Sequence, residues 1–591
     1  MSRCAGVCST LTQSCVCGGG RYPRRSMLQC DFKGLGRWRA WKGEGALPGP
    51  YNEVDAERRA RTAASPRAFW SSATDAPTWL QNHSAFVTTD APPTLAAWCD
   101  AAVGERHLGA RCACREGAVG PTCSDPTEHV CLNQCSGHGR CQSGFCWCES
   151  GFYGVDCSLR EGQLRVVPSA DRKQPASANR PKIFVYELPS RFNVQMWMTK
   201  LWPEDCTLRS FRSGNTTHWH RNLFGLEVAL YERLLVSAHR TNDANEADFF
   251  YVPVWGGCFF STTLYRPTPR RHTFSHLRHV QPSAGLPVAV RTTELYRAAL
   301  QHIRSAHPYW DRNGGRDHIW TFPMDEGACA APIELAPSIL VSHWGRTQAP
   351  PGNHTTIAPG HGWHVEPYVR RMYGSNVCYD PRKDLLLPVY LPWDFVSRSP
   401  YLTGQQPERN VLFMLRGDAL SKPKGYSLGL RQELHLRLIA SPDSCDNLPV
   451  PGCVLVGHRS PSYVSDLQRS TFCGVMPGNG WGHIEEPLIH GCIPVIIMPG
   501  IHVQLEGVVN VNAFSIRLER PDLPHLVQIL RAVPPATIKK MQAEARRIWT
   551  RYTYSGNFED RGAAVKSVVL GGADAVHTFV EALRTRLDPA M

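Results

Sequence analysis

Two adjacent glutamates, Glu485 and Glu486, stand at a point in the sequence where their side chains could bind a nucleotide. They follow the glycine-rich turn Gly478-Asn479-Gly480-Trp481-Gly482 and begin a predicted helix. Backbone N–H groups and the positive dipole end at such a helix start attract an anion, for example a nucleotide diphosphate. A carboxylate beside the turn could hold ribose or sugar hydroxyls. The alternative is an ordinary helix–strand unit in which the glutamates only complement the helix dipole.

The same stretch contains the elements that must position these carboxylates. Leu488 and Ile489 give the helix an apolar face, and Gly491 stands where a glycine commonly ends a helix. The run from Ile493 to Ile497 is apolar and rich in β-branched residues, which predicts a buried strand. The sequence therefore predicts a short acidic helix directly before a core strand.

Short apolar runs alternate with helical patterns from Ile183 onward. The predicted strands are Ile183–Tyr186, Phe249–Val254, Ile319–Phe322, Ile339–Ser342, Leu385–Tyr390, Val411–Leu415, Cys453–Gly457, Phe472–Met476, Val495–Met498 and Val508–Asn512. The predicted helices are Gly225–His239, Glu294–Ser305, Leu428–Leu438, Tyr463–Arg469 and Glu485–His490. Because strands that alternate with helices form βαβ units, we predict an α/β protein with mostly parallel sheets. A proline-rich passage at 392–407 separates two such series, which predicts two Rossmann-like halves.

The cysteines are concentrated near the N-terminus, since 15 of the 23 precede residue 160. Six of them lie close together in a glycine-rich segment that has almost no apolar residues to form a core: Cys131, Cys135, Cys141, Cys146, Cys148 and Cys157. Such a segment needs disulfides for stability, which indicates an oxidising compartment. A zinc site is disfavoured because paired Cys-x-x-Cys knuckles are absent. Three glycosylation triplets, at Asn82, Asn215 and Asn353, are compatible with that compartment.

Several motifs between about residue 181 and residue 515 together resemble the exostosin family of glycosyltransferases. They are PKIFVYELPSRFN from Pro181, EADFFYVPV from Glu246, NGGRDHIWTFPMDEG from Asn313, FMLRG from Phe413, YVSDLQRSTF from Tyr463 and HIEEPLIHGCIPVII from His483. The matches are collinear and specific at family level, but they do not define which sugar is moved. The resemblance implies a GT-B arrangement in which the C-terminal half holds most of the nucleotide sugar.

Candidate donor-binding residues follow from this resemblance and from the need to stabilise a departing diphosphate without a bound metal. They are Arg416, Lys422, Arg431, Gly480, His483, Glu485 and Glu486. The resemblance assigns Glu486 to the donor's ribose or sugar, with Glu485 as the register-shifted alternative, whereas the arginines could instead be solvated or ion-paired. The turn Trp481-Gly482-His483-Ile484 departs from the family because it has no arginine.

The candidate catalytic bases lie in the Gly-Arg-Asp-His segment and just after it. They are Asp317, His318, Asp325 and Glu326. Loops at strand ends are where α/β proteins keep their chemistry. A buried Asp–His pair that only fixes a loop is the alternative. No metal ligand set and no cofactor is predicted, and the nucleotide sugar is a co-substrate.

The cysteine-rich segment resembles an EGF-like module. That resemblance implies the pairs Cys131–Cys141, Cys135–Cys146 and Cys148–Cys157. The predicted regions of the whole chain are 1–98, a stem or linker; 99–160, the EGF-like region with its best module at 131–157; 161–180, a linker; 181–400, the acceptor half; and 401–575, the nucleotide-sugar half. We expect few contacts across the linker, so that the module is a tether or a partner-binding unit outside the active site.

Together these features predict an inverting glycosyltransferase that moves a sugar from a nucleotide sugar, a UDP-sugar, to a glycan or glycoprotein. An extracellular or cell-wall carbohydrate-binding or adhesion protein with an inactive transferase fold is the alternative. The formal charge of +13 comes without a nucleic-acid-binding motif, so no nucleic-acid partner is predicted. The family implies a luminal Golgi membrane location or, alternatively, secretion. The sequence shows no apolar segment that could serve as an anchor, and we expect a truncated or mispredicted N-terminus.

Overall fold

The computed structural model describes a few short strands before residue 127 and most of the residues that follow. The described ranges, with brief gaps, are 136–166, 180–193, 209–264, 288–348, 378–478, 482–554 and 572–587. The chain divides into two compact units, residues 1–284 with 295–318 and residues 285–294 with 319–591.

Three parallel strands form the core of the first unit: β1 (Ile183–Val185), β2 (Arg240–Thr241) and β3 (Phe249–Val252). Strand β1 lies in the middle, with Ile183 opposite both Arg240 and Phe249. All four residues of β3 are buried, as expected for a strand covered on both faces of a parallel sheet. The sequence in this unit therefore folds as predicted, as parallel strands with helical connections.

The second unit contains two sets of parallel strands. The first set is β4 (His318–Phe322), of which Ile319 onward lies in this unit, β5 (Ile339–Ser342) and β6 (Leu385–Leu386). The second is a five-stranded parallel sheet in the order β8-β7-β9-β10-β11, formed by β7 (Val411–Arg416), β8 (Cys453–Gly457), β9 (Ser470–Val475), β10 (Ile493–Ile496) and β11 (Ile516–Arg517). Because all five strands run the same way, their carboxyl ends meet at one edge of the sheet.

The α-helices connect and cover these strands. They are α1 (Leu226–Leu235), α2 (Gly256–Leu264), α3 (Val288–Ala306), α4 (Tyr309–Asn313), α5 (Trp393–Val396), α6 (Pro400–Thr403), α7 (Leu430–Ile439), α8 (Tyr463–Arg469), α9 (Glu485–Ile489), α10 (Leu526–Arg531), α11 (Pro535–Ile548) and α12 (Ala575–Arg584). The 3-10 helices are Leu223–Gly225, Gly327–Ala330, Ile333–Leu335, Ser427–Gly429, Val511–Ala513, Arg520–His525 and Trp549–Tyr552. Within the described ranges, none of the helices combines the length and the apolar character needed to cross a membrane.

The remaining strands form short pairs or small sheets. They are Val7–Ser9, Ser14–Val16, Gly104–Glu105, Ala113–Cys114, Ala118–Val119, Asp125–Pro126, Gly139–Gln142, Phe145–Cys148, Phe152–Tyr153, Leu159–Arg160, Gln163–Val166, Arg209–Arg212, Asn215–Trp219, Gly345–Arg346 and Ile501–His502.

One predicted strand is wrong. Residues Val508–Asn512 are not extended, and a 3-10 helix covers Val511–Ala513 instead. Leu505 and Gly507 have positive φ angles of 59° and 89°, so the backbone turns before Val508 and cannot run straight as a strand. The strand of this region is β11, which pairs with β10 through Val495 and Ile516.

The expectation of few contacts across the linker is also wrong. Asp156 of the EGF-like module is 1% exposed, and its Oδ2 accepts a hydrogen bond of 2.8 Å from Nη1 of Arg240, the first residue of β2. The other Arg240 nitrogen, Nη2, donates to Ser158 Oγ at 3.0 Å. Cys157, which lies between these two contacts, is fully buried in its disulfide with Cys148. The module therefore shares a buried ion pair with the parallel strands of the first unit.

A buried glutamate holds the start of helix α2 in the same unit. Glu227, on α1, accepts hydrogen bonds from the backbone N–H groups of Gly257 at 3.0 Å and Cys258 at 2.7 Å. Burial raises the pKa of Glu227 to about 8, although these two hydrogen bonds act in the opposite direction. The carboxyl group therefore titrates near neutral pH in the folded protein.

We expect Glu227 to make stability depend on pH. Its folded pKa lies above its unfolded value, so the stabilisation is complete below about pH 4.5 and is lost as pH rises towards about 8. Within this window the Glu227 contribution falls by up to about 1.4 kcal/mol per pH unit. Glu227→Gln replaces the titratable carboxyl group with an uncharged amide and should flatten the pH dependence of the free energy of unfolding, measured by denaturant titration. A variant with the same pH profile as the parent protein would contradict this assignment.

Candidate active site

A pocket lies at the carboxyl edge of the five-stranded sheet. Its lining includes the end of β7, the start of α8, the end of β9 and the turn before α9. The residues that line it are Met414, Leu415, Arg416, Arg431, Tyr463, Leu467, Cys473, Gly474, Met476, Gly482, His483 and Pro487. Three of the predicted donor-binding residues, Arg416, Arg431 and His483, thus meet at one pocket.

Two arginines, the half-buried Arg416 and the buried Arg431, supply positive charge to this pocket. Arg416 ends β7 and forms an ion pair of 3.1 Å with Asp466 of α8. Arg431, in the first turn of α7, donates to the backbone oxygen of Met476 at 3.2 Å. A Cβ atom added to Gly417 would approach Arg431 Nη1 to 2.9 Å, so the glycine gives the guanidinium room. Both charges are therefore held in place by neighbours on other elements.

Glu486 is the acidic residue next to the pocket. Its Oε2 accepts hydrogen bonds from the Tyr463 hydroxyl at 2.7 Å and from His483 at 3.1 Å. His483 has a positive φ of 65°, a backbone conformation that non-glycine residues adopt mainly where the surroundings hold it. Glu486 is 3% exposed, so its carboxylate is buried and does not face solvent. The contacts fix the direction of this carboxylate beside the pocket.

The neighbouring Glu485 has different contacts. It is fully buried, and its Oε1 accepts a hydrogen bond of 3.0 Å from the backbone N–H of Val389. Successive residues on a helix point about 100° apart, which explains why the two carboxylates separate. Of the two registers left open by the sequence, the structure places Glu486 beside the pocket and Glu485 on the segment after β6.

Lys422, a further predicted donor-binding residue, is not among the described residues that line the pocket. The Lys422 ammonium lies 5.9 Å from the centre of the Tyr426 ring, a cation–π distance. Gly480 lies outside the described residues.

The predicted base pair Asp317–His318 is part of a buried aromatic cluster in the first unit. His318 Nδ1 lies 2.7 Å from Asp317 Oδ1, and its Nε2 lies 2.9 Å from the Tyr186 hydroxyl. Burial raises the pKa of Asp317, but the hydrogen bond and charge of His318, with Arg312, outweigh it and lower that pKa overall. Burial lowers the pKa of His318. The neutral imidazole therefore donates to Asp317 and accepts from Tyr186, as in a pair that fixes a loop.

The predicted bases Asp325 and Glu326 follow β4 in the second unit. Glu326 is buried, and its Oε1 accepts a hydrogen bond of 3.1 Å from Arg346, which also contacts the sulfur atoms of the Cys329–Cys378 disulfide. Asp325 is half-buried and is the more accessible of the two. Access to solvent makes it the better candidate for proton transfer.

Two residues of this site were not predicted. Tyr463 and Asp466 are three residues apart on α8, so both can face the sheet, and they hold Glu486 and Arg416 respectively. Their spacing in the YVSDLQR segment could have indicated a common face. Among the residues described here, the structure contains no group of three or more His, Cys, Asp or Glu side chains that could hold a metal ion.

Five parallel strands joined by helices, with a pocket at their carboxyl edge, define an α/β protein whose pocket lies where such folds commonly bind their ligands. The family model of the Exostosin GT47 domain matches residues 177–533, and the chain belongs to this family and is a glycosyltransferase. The α/β fold with two Rossmann-like halves of the GT-B type is thereby confirmed. A Teneurin-like EGF domain model matches residues 131–160.

Curated relatives agree with the family. A probable beta-1,4-xylosyltransferase of Arabidopsis thaliana is 27% identical over 374 residues, which cover 61% of this chain and 74% of the relative. A probable glucuronoxylan glucuronosyltransferase of the same plant is 24% identical over 427 residues, 69% of this chain and 73% of the relative. The crystal structure of TarM covers 43% of this chain and 56% of its own at 10% identity, and its TM-score of 0.24 is too low to support any conclusion.

Proposed function

We propose that the protein is an inverting glycosyltransferase that moves a sugar from a UDP-sugar to a hydroxyl group of a glycan or glycoprotein. The observation that supports it is the meeting of Arg416, Arg431 and His483 at one pocket, with Glu486 beside them. Two guanidinium groups and a histidine can oppose the charge of a diphosphate, and a carboxylate can accept hydrogen bonds from ribose or sugar hydroxyls.

The two kinds of group serve different parts of the reaction. Negative charge grows on the leaving diphosphate in the transition state, and Arg416 and Arg431 are held ready to stabilise it. Glu486 positions the donor, because Tyr463 and His483 hold its carboxylate in one orientation. Asp325 is the proposed base that accepts the proton of the attacking hydroxyl.

The proposal includes no tightly bound cofactor, since side chains of the pocket carry the opposing charge. The relatives' names point to xylosyl and glucuronosyl groups as candidate transferred sugars. A luminal Golgi location agrees with the Cys148–Cys157, Cys329–Cys378, Cys445–Cys453 and Cys473–Cys492 disulfides, which need an oxidising compartment. The EGF-like module is proposed to bind a protein partner, in addition to its contact with Arg240 of β2.

A donor panel tests this function. The purified full chain is incubated with UDP-xylose, UDP-glucuronate and other UDP-sugars, with and without oligosaccharide acceptors, and both UDP release and the anomeric configuration of the product are measured. We expect one donor to be turned over with inversion. No saturable binding and no hydrolysis of any donor would overturn the proposal and favour a carbohydrate-binding protein.

Arg416→Ala should raise the donor KM or lower kcat, with a loss of tenfold or more in kcat/KM, or about 1.4 kcal/mol. The reason is the removal of one of the two charges that face the diphosphate. Steady-state kinetics with the donor found in the panel gives the measurement. Arg437→Ala is the control, because Arg437 lies on the same sheet-covering helix as Arg431 but forms a surface pair with Glu433. If the two variants have the same kinetics, the ion pair of Arg416 with Asp466 has only a structural role.

A further inference from the structure

Two buried polar atoms without partners lie in contacting residues of the second unit. His343 directly follows β5, at the carboxyl end where parallel strands keep their sites, and it is 2% exposed. Gln504 is 1% exposed, and its Nε2 donates to the backbone oxygen of His343 at 2.6 Å. His343 Nδ1 and Gln504 Oε1 each have no hydrogen-bond partner.

Such atoms destabilise the folded protein unless a further group forms a hydrogen bond with them. A buried polar atom without a partner costs about 1–3 kcal/mol, so a pair of them in neighbouring residues calls for an explanation. Gln504 is held from outside the pair, because the Tyr552 hydroxyl donates to its backbone oxygen at 3.1 Å. The structure thus fixes the two residues and leaves one ring nitrogen and one amide oxygen unused.

The pair adjoins the two parts of the proposed site that belong to this unit. An electrostatic interaction links His343 to His483, which lines the pocket. On the other side, Ser342 Oγ accepts a hydrogen bond from Trp344 N at 3.0 Å, and a Cβ atom on Gly327 would approach the same oxygen to 1.9 Å. The end of β5 is therefore packed against the turn that carries Asp325.

The chemistry of the pair selects the kind of group that it can bind. Burial, with a further effect from His483, lowers the pKa of His343 to about 3, so its imidazole is neutral at working pH. A neutral ring nitrogen and an amide oxygen provide no positive charge for a phosphate or a carboxylate. A hydroxyl group suits them, because it donates one hydrogen bond and accepts another.

Building on the function proposed above, we propose that His343 and Gln504 hold a hydroxyl group of a sugar beside the nucleotide pocket. That hydroxyl belongs either to the transferred sugar of the donor or to the acceptor glycan, and the two sources predict different kinetics. A donor hydroxyl makes the donor KM sensitive to the pair, whereas an acceptor hydroxyl makes the acceptor KM sensitive. In both cases the affinity for UDP alone is independent of the pair.

The test compares His343→Leu, His343→Asn and Gln504→Leu in the full chain. Leucine removes the hydrogen-bonding atoms at similar volume, and asparagine keeps a polar atom near the position of Nδ1. We expect a tenfold or larger rise in one KM for both leucine variants, an unchanged Kd for UDP, and recovery to within about threefold in His343→Asn. His490→Leu is the control, because His490 is also fully buried with two unpartnered nitrogens but packs edge-on against Phe395.

Each other result overturns the inference. Leucine variants that keep both KM values, that lose only thermal stability, or that do not fold make the pair a structural feature. Loss of UDP affinity in a folded variant assigns the pair to the diphosphate instead. A parent protein that turns over no donor defeats the proposed function itself, whereas normal turnover that these variants leave unchanged defeats only the sugar contact.

Discussion

Glu486→Gln is expected to lower kcat/KM for transfer at least a hundredfold, equivalent to about 2.7 kcal/mol, while the protein stays folded. Tyr463 and His483 both direct hydrogen bonds at Glu486 Oε2. An amide has one acceptor oxygen and an NH2 group that cannot accept, so it cannot serve these two donors and a sugar hydroxyl as a carboxylate does. Steady-state kinetics with the identified donor, and the thermal unfolding midpoint, give the measurement.

The matched control for this variant is Glu433→Gln. Glu433 is a partly exposed glutamate that pairs with Arg437 and Arg520 on the surface. Surface pairs contribute about 0–1 kcal/mol, so neither its activity nor its stability should change greatly. Glu486→Gln with activity within threefold of the parent protein would move the donor's hydroxyl contact to another residue.

Asp156→Ala is expected to lower the free energy of unfolding by about 3–5 kcal/mol, because it removes the carboxylate that pairs directly with the enclosed Arg240 side chain. The Arg240–Asp156 pair is almost completely enclosed, with side chains 9% and 1% exposed. Arg240→Ala should have a similar cost, and the double variant should lose clearly less than the sum of the two. Denaturant titration of all four proteins measures this double-mutant cycle.

Arg382→Ala provides the comparison for an exposed pair. Arg382 forms a 2.9 Å pair with Asp380, and its side chain is 87% exposed. Water screens this pair, so its removal should leave the free energy of unfolding almost unchanged. If Asp156→Ala and Arg382→Ala change the free energy of unfolding equally, the EGF-like module is not energetically coupled to the parallel strands of the first unit. A deletion of residues 1–160 also removes Asp156 and should destabilise the protein in the same way as Asp156→Ala.

The parts of the site that depend on local order were predictable. The β-branched run after Gly491 could only be a buried strand, so α9 and β10 were correctly predicted from one stretch of sequence. The meeting of Arg416 with the turn before α9 followed from a general property of parallel sheets, whose carboxyl ends share an edge. These predictions needed no knowledge of which side chains touch.

The contacts between distant segments were not predictable in the same way. Asp466, which pairs with Arg416, lies 50 residues from it in the sequence. Val389, whose backbone N–H donates to Glu485, lies 96 residues from that glutamate. Two consecutive glutamates cannot be distinguished in a sequence. The residues that each one contacts in the folded protein show which carboxylate lies beside the pocket and which has a structural role. The same holds for Asp156, whose charge looks like an ordinary surface charge until Arg240 is placed beside it.

The Asp156–Arg240 contact also bears on how this chain can be rearranged by evolution or by engineering. EGF-like modules are often regarded as independent and exchangeable. This module supplies an aspartate, Asp156, directly before its last cysteine, and Arg240 of β2 pairs with it. A replacement module without an acidic residue at that position would remove the ion pair of Arg240. The module and the transferase should therefore be inherited together, and a useful truncation should begin before the module rather than after it.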